Sequence, residues 1–476
     1  MIYNSFLFVW LFPILFLIGN NLAIRYRKYF LLLSSYALYI NYNQWMALIL
    51  FTVTFISFSF ARLIDKAQCD CNKNQEDSND KQDDSNDKPG KGLLYLGVLG
   101  MITPLFTFKY YDFIASNLDE LGIHLPSLSL VAPLGVSFFT FQALSYLFDI
   151  YRQKYKSEKS LINYMAFLSF FPSMIAGPIN RYNELMPQIK THQGFDRLLA
   201  ENGLKMILWG MFLKVVVADR LQLYVDLVFD DYQLYSGSSL LMASILYSFQ
   251  LYTDFAGYSL MAIGTASTLG YRLTTNFRNP YFSISITDFW HRWHITLAQW
   301  LRDYIYIPLG GNRCSKTRNY LNILITFLVS GIWHGANWTF ILWGLLHGIS
   351  QVIEKMLGID KSSTTNIWKR TGRAIFTFLL ITLFWIFFKM STLGEAMTIV
   401  HKIVTQQDMH FAIFEKYIIA FCALAFIKDL IDEVRPTWNP FHHHRLWVRW
   451  CTYIFVLTSI LLFGVFDAGQ FIYARF

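Results

Sequence analysis

A histidine set inside an apolar run is the first feature of this chain with chemical reach. His334 stands in Gly331-Ile332-Trp333-His334-Gly335, within a stretch over 319–353 that otherwise reads as buried in lipid or protein. A titratable group at membrane depth is a functional-site hypothesis by default. Neutral imidazole accepts a proton from a hydroxyl or a thiol, and removal from water helps keep it neutral. The plainer reading is a core histidine bonded to a carbonyl. The basic, aromatic stretch immediately upstream weighs against it.

That stretch contains Asp288-Phe289-Trp290-His291-Arg292-Trp293-His294 and then Arg302-Asp303-Tyr304 through Gly310-Gly311-Asn312-Arg313. His291 and His294 are three apart, so both can face one side of a helix. The spacing could ligate a metal, but no local carboxylate or cysteine completes a set, and no metal is expected. One of the two is instead expected to orient or complement His334. His294, flanked by Trp293 and Ile295, is the better candidate. Arg302, Arg313 and the Gly310-Gly311 turn could hold the phosphates of a nucleotide-like cofactor, since amides in glycine turns form anion sites. The alternative is positive charge anchoring a cytoplasmic loop. Trp333, beside His334, is counted with the cofactor-binding residues.

Asp254, in Tyr252-Thr253-Asp254-Phe255-Ala256-Gly257-Tyr258, is costly inside a span unless paired or hydrated. It is either a structural carboxylate bonded to a neighbouring helix or a substrate contact. Tyr473 sits in the ending Phe471-Ile472-Tyr473-Ala474-Arg475-Phe476. The two phenylalanines could anchor a segment that presents its hydroxyl. His442-His443-His444 reads as part of a solvated loop.

The elements that must position these groups are membrane helices. The chain has 476 residues, is 54% hydrophobic and only 15% charged, against about 25% charged in soluble domains. Apolar runs of spanning length recur from end to end. Spans are expected near 2–19, 29–42, 44–64, 93–110, 128–150, 206–228, 238–262, 374–390, 412–431 and 447–466. The first is read as a retained helix rather than a signal peptide. The segment 161–177, broken at Phe171-Pro172 and Gly177-Pro178, is expected to be re-entrant or buried. The 319–353 run is too long for one span and has basic flanks, so it is expected to be two helices joined near 331–336. The loop 65–91, with eight acids and five lysines, is expected to be a disordered cytoplasmic loop. Lysine and arginine in short loops place both termini outside. The net charge of +8 is what such loops supply and does not point to nucleic acid.

Taken in order, six elements resemble the membrane-bound O-acyltransferase (MBOAT) family, in its bacterial branch. They are Ser137-Phe138-Phe139-Thr140-Phe141-Gln142, Phe171-Pro172 through Gly177-Pro178-Ile179, Tyr252 through Tyr258, Phe289-Trp290 through His294, Arg302-Asp303-Tyr304, and Trp333-His334-Gly335. They span about 130–350. The resemblance implies an all-α polytopic membrane protein over the whole chain, a single domain of about 11–12 spanning or re-entrant helices around a central funnel. It implies that His334 is the catalytic histidine and His294 its supporting residue. Ile307-Pro308-Leu309-Gly310-Gly311-Asn312-Arg313 resembles the polysaccharide-acetylation branch. That likeness implies acetyl-CoA as donor, a polysaccharide acceptor, a separate extracytoplasmic SGNH-hydrolase-like acetyltransferase as partner, and a multi-pass protein of the bacterial plasma membrane. The ending around Tyr473 resembles the C-terminal motif of these acetylation subunits, which makes Tyr473 a candidate acyl carrier. D-alanyl transfer to teichoic acid stays open. So does a transporter or flippase, although no inverted repeat is visible.

Overall fold

The computed structural model describes residues 3, 6–42, 44–77, 89–191, 194–359, 366–408 and 416–466. All regular structure among them is helical. Among the described residues four helices are long and apolar enough to cross a membrane: Gln44–Cys71, Lys91–Asp119, Ile367–Lys389 and Leu446–Phe463. The chain divides into two compact units. One holds 11–200 with 266–273, and the other holds 2–10, 201–265 and 274–476.

In the first unit the expected spans have different ends. The helix that starts at Gln44 runs to Asp77, so much of the stretch expected as a loop from residue 65 is helical. Ala, Glu, Gln and Lys in 65–77 favour helix by intrinsic propensity, with no apolar stripe required. Residues 78–88 lie outside the described residues. The span expected over 128–150 becomes helical only at Val136. Pro133 precedes it, and Gly135 takes a left-handed φ of 73°. A side chain at Gly135 would sit 2.4 Å from the carbonyl oxygen of Met174, so that close approach requires glycine. The segment expected to be broken and buried is so. A short helix, Leu161–Leu168, is followed by irregular backbone with nearly every residue to 180 buried. The Ser35 hydroxyl accepts the Phe171 amide at 3.1 Å, which satisfies the irregular backbone just before Pro172.

The helix Arg197–Met211, which enters the second unit at residue 201, runs on through a π-helical turn, Phe212–Ala218, into Asp219–Asp230. Gly237–Thr268 follows. The helix Leu393–Thr405 was not expected and begins with a full capping box between Thr392 and Glu395. The 319–353 run is two helices, Lys316–His334 and Trp338–Met356, joined at 335–337. They cross at glycine. A side chain on Gly331 would lie 2.4 Å from the Phe340 carbonyl oxygen, and one on Gly344 would lie 2.4 Å from that of Phe327. Small residues at a crossing let two backbones approach, the packing that works in lipid.

Candidate active site

The hairpin places His334 at the last position of its first helix, 2% exposed. Its Nδ1 lies 2.6 Å from the Ser330 carbonyl oxygen, one turn back. A carbonyl only accepts, so Nδ1 carries the hydrogen and Nε2 holds the lone pair. Three aromatic rings meet the imidazole edge-on, with centroids at 4.9 Å for Trp333, 4.7 Å for Trp343 and 5.5 Å for Phe388. These walls surround the ring with apolar surface.

His294 comes from the shelf before the hairpin, and its setting corrects one expectation. His291 and His294 do not share a helical face. The helix Ile286–Trp290 ends before them, and His294 adopts left-handed backbone, φ 43° and ψ 53°, as the N-cap of Ile295–Leu301. His291 is exposed while His294 is fully buried. Two backbone bonds lock the reversal: Ile295 N–H to the Asn276 carbonyl and Arg278 N–H to the Arg292 carbonyl, both 2.9 Å. A non-glycine residue in this region costs of order 1–3 kcal/mol, and such strain tends to collect at functional sites.

Asn276, which sequence reasoning missed, fixes the ring. Its Oδ1 accepts from His294 Nδ1 at 3.2 Å, from Thr296 N–H at 3.2 Å and from the Thr296 hydroxyl at 2.9 Å. His294 therefore also keeps its lone pair on Nε2. Burial first, then the neighbouring His334, hold its pKa well below the usual histidine value. Trp333 contacts both imidazoles, at 6.0 Å from His294 and 4.9 Å from His334. The site is thus two histidines that both donate from Nδ1, set around one indole. That arrangement can accept a proton from a hydroxyl in a water-poor setting.

The shelf is clamped to the hairpin. Glu354, on Trp338–Met356, accepts from the Thr287 amide and hydroxyl, each at 2.9 Å, at the N-terminus of Ile286–Trp290. Arg292 is held by Asp288 at 2.9 Å and Glu433 at 2.8 Å.

The anion-holding candidates separate. Arg302 is 58% exposed, pairs with Asp303 at 2.9 Å and lines a cavity of about 350 Å³ with His291, Lys355 and Gln351 over a floor that includes Trp290 and Phe327. No carboxylate lines this cavity among the described residues. Arg313 is exposed and is not among that lining. The amides of the Gly310-Gly311 turn are already used, Gly310 N–H by Ile307 O at 3.0 Å and Gly311 N–H by Tyr306 O at 2.9 Å. The turn serves to dock on the hairpin, where Asn319 and Asn322 bond the Gly311 carbonyl at 2.9 and 3.2 Å.

Asp254 is buried in an ion pair with Lys214 at 2.6 Å, and Lys214 also binds Asp219 at 2.7 Å. Lys214 escaped notice although the rule applied to Asp254, a charge within an apolar span, singles it out equally. Asn276 left a weaker signal, a polar residue in Thr274-Thr275-Asn276 between an apolar helix and the shelf. Tyr473 lies outside the described residues.

The described residues thus form a helical protein with a buried histidine at the end of a helix hairpin and another on the shelf before it. Residues 135–393 match the family model described as MBOAT, membrane-bound O-acyltransferase family. A peptidoglycan O-acetyltransferase of Helicobacter pylori is 38% identical over 338 residues, 65% of this chain and 64% of that protein. The match thus spans just under two thirds of that relative. A probable alginate O-acetylase of Pseudomonas putida is 34% identical over 461 residues, 92% of this chain and 90% of the other. A teichoic acid D-alanyltransferase of Bacillus subtilis is 29% identical over 271 residues, 54% and 67% of the two chains. The chain belongs to the membrane-bound O-acyltransferase family, and its class of reaction is O-acyl transfer.

Proposed function

We propose that this protein moves acetyl from cytosolic acetyl-CoA to a hydroxyl for O-acetylation of an extracytoplasmic polysaccharide. The observation that carries the reading is the His334 Nδ1 to Ser330 carbonyl bond of 2.6 Å, which supports Nε2 as the base at a buried hairpin end. Acetyl rather than D-alanyl transfer is favoured because relatives named for O-acetylation match more closely, and over more of the chain, than relatives named for D-alanyl transfer. In this reading the phosphates of the donor lie by Arg302 in the basic cavity, Trp333 walls the acyl group, and His294 supports His334. Tyr473 takes the acetyl from His334's side and passes it to a separate extracytoplasmic acetyltransferase of SGNH-hydrolase type. The protein sits in the plasma membrane with both termini outside.

The test is labelled acetyl-CoA supplied to membranes carrying the full chain, with label followed into protein and glycan. His334→Ala should remove the label from both at unchanged protein level, and retained labelling would sink the assignment. Tyr473→Phe should stop transfer to glycan. Full transfer in that variant removes the carrier step and leaves His334 in place.

A further inference from the structure

His347 holds a hydrogen that the reaction as described does not use. It lies on Trp338–Met356, fully buried in an aromatic cage. Phe289 and Phe327 stack on it at 6.2 and 6.3 Å, and Trp343 and Phe384 meet it edge-on at 4.8 and 4.9 Å. Trp290 Nε1 donates to His347 Nδ1 at 3.2 Å. An indole nitrogen only donates, so Nδ1 is an acceptor and the hydrogen of the neutral ring is on Nε2. This tautomer is the reverse of those at His334 and His294. The Nε2–H is buried and has no hydrogen-bond partner among the described residues. An unmade bond at a buried donor costs about 1–3 kcal/mol. A phenyl ring would fill the same cage without that cost.

Its place gives the donor a use. Trp343 lies against both His347 at 4.8 Å and His334 at 4.7 Å. Trp290 and Phe327, which touch His347, also form part of the floor of the cavity lined by Arg302, His291 and Lys355. His347 therefore shares ring neighbours with both that cavity and His334.

We infer that His347 Nε2–H is a hydrogen-bond donor to the carbonyl oxygen of an acyl thioester on its way to His334. The inference rests on the proposed role of His334. His334 Nε2 takes the hydroxyl proton while the hydroxyl oxygen attacks the acyl carbon. The carbonyl electron pair moves onto its oxygen, where His347 Nε2–H meets the charge. The pair returns, the carbon–sulfur bond breaks, and the thiolate takes the proton from His334. No proton is left over and no further reactant is needed. A fixed neutral donor aimed where charge develops, inside a dry site, is worth more than the same donor in water.

The test compares two isosteric variants of the full chain in membranes with acetyl-CoA, reading free thiol release and label transfer per amount of folded, monodisperse protein. His347→Asn keeps an acceptor for Trp290 and lacks the Nε2–H, whereas His347→Gln restores an N–H at that position. Loss of one such donor costs about 10²–10³ in kcat, so the asparagine variant should fall by about 100-fold with little change in KM for acetyl-CoA. The glutamine variant should recover to within about tenfold of the parent, the equivalent of about one hydrogen bond. Equal activity of the asparagine variant and the parent overturns the inference. So does an equal loss in both variants, or a loss that disappears once folded protein is counted. His334→Ala, run alongside, separates the two readings: if it stays active the parent reading fails, and if it is inactive while His347→Asn is not, only this one does.

Discussion

The imidazole of His294 and the amide of Asn276 meet Nδ1 to Oδ1 at 3.2 Å in a site closed to solvent. The Thr296 backbone N–H points at the same oxygen, so the amide's orientation follows from chemistry. The bond fixes the tautomer, with the lone pair on Nε2, while burial keeps the ring neutral. A carboxylate in place of the amide would favour the imidazolium and raise the His294 pKa. In Asn276→Asp the acid limb of the rate profile should move to higher pH, with a larger loss at pH 6 than at pH 8. Asn276→Ala should lower the rate without moving the limb. An unmoved profile in the aspartate variant would separate His294 protonation from turnover.

The same histidine makes stability pH-dependent. Its folded pKa lies below the unfolded value of about 6.5. Below that value the unfolded chain binds a proton that the native chain refuses, so this contribution is whole above pH 6.5 and drains as pH falls. Its slope is at most about 1.4 kcal/mol per pH unit. Thermal unfolding in detergent from pH 7.5 to 5 should show a shallower fall for His294→Gln than for the parent. Parallel curves would argue that His294 is protonated in the fold.

Gly331 and Gly344 decide where His334 sits. A methyl group on either would press to 2.4 Å from a backbone oxygen of the partner helix, and backbone cannot swing away as a side chain can. Gly331→Ala should destabilise the protein by about 1–3 kcal/mol, the usual cost of overpacking. It should also lower turnover more than it lowers donor binding. A variant with parent-like melting and rate would show that the hairpin has slack.

Lys214 faces two carboxylates, Asp219 and Asp254, and all three side chains are at most 2% exposed. Breaking a buried charge cluster by removing one partner costs about 3–5 kcal/mol. Lys214→Met should therefore fold poorly, and adding Asp254→Asn should recover part of the yield by lowering the uncompensated charge. Recovery is read from monodisperse protein on size exclusion. Failure of the double variant to improve on the single one would assign the loss to shape rather than charge.

Arg302 and Arg313 carry the same charge in different places. Only Arg302 lines the basic cavity with Lys355 and His291. Arg302→Ala should raise KM for acetyl-CoA by about tenfold, the worth of one charge-assisted bond of about 1.4 kcal/mol. Arg313→Ala should change it little. Equal effects would mean that the donor spreads over the exposed turn.

Much of this protein was legible from residue type and spacing. The ordered Trp-His and Arg-Asp-Tyr elements pointed to the family and to His334. Length and basic flanks divided 319–353 into two helices, and Pro172 and Gly177 marked the buried break. Helix ends were less legible. The extension of Gln44–Asp77 into an acidic tail carries no apolar signal, and Leu393–Thr405 is announced only by a capping box.

What the sequence determined by itself was the class of chemistry: a titratable ring in an apolar hairpin, a basic aromatic shelf before it, and helices throughout. Those follow from local composition, because hydropathy and charge act residue by residue along the chain. Tertiary structure alone decided which nitrogen of each histidine carries the hydrogen, that His294 and His291 part company, and that the glycine turn's amides are already occupied. It also decided that Asp254 answers to Lys214 rather than to an open site. Each of these depends on a partner distant in sequence or on a single left-handed backbone angle, and neither leaves a periodic trace in the order of residues.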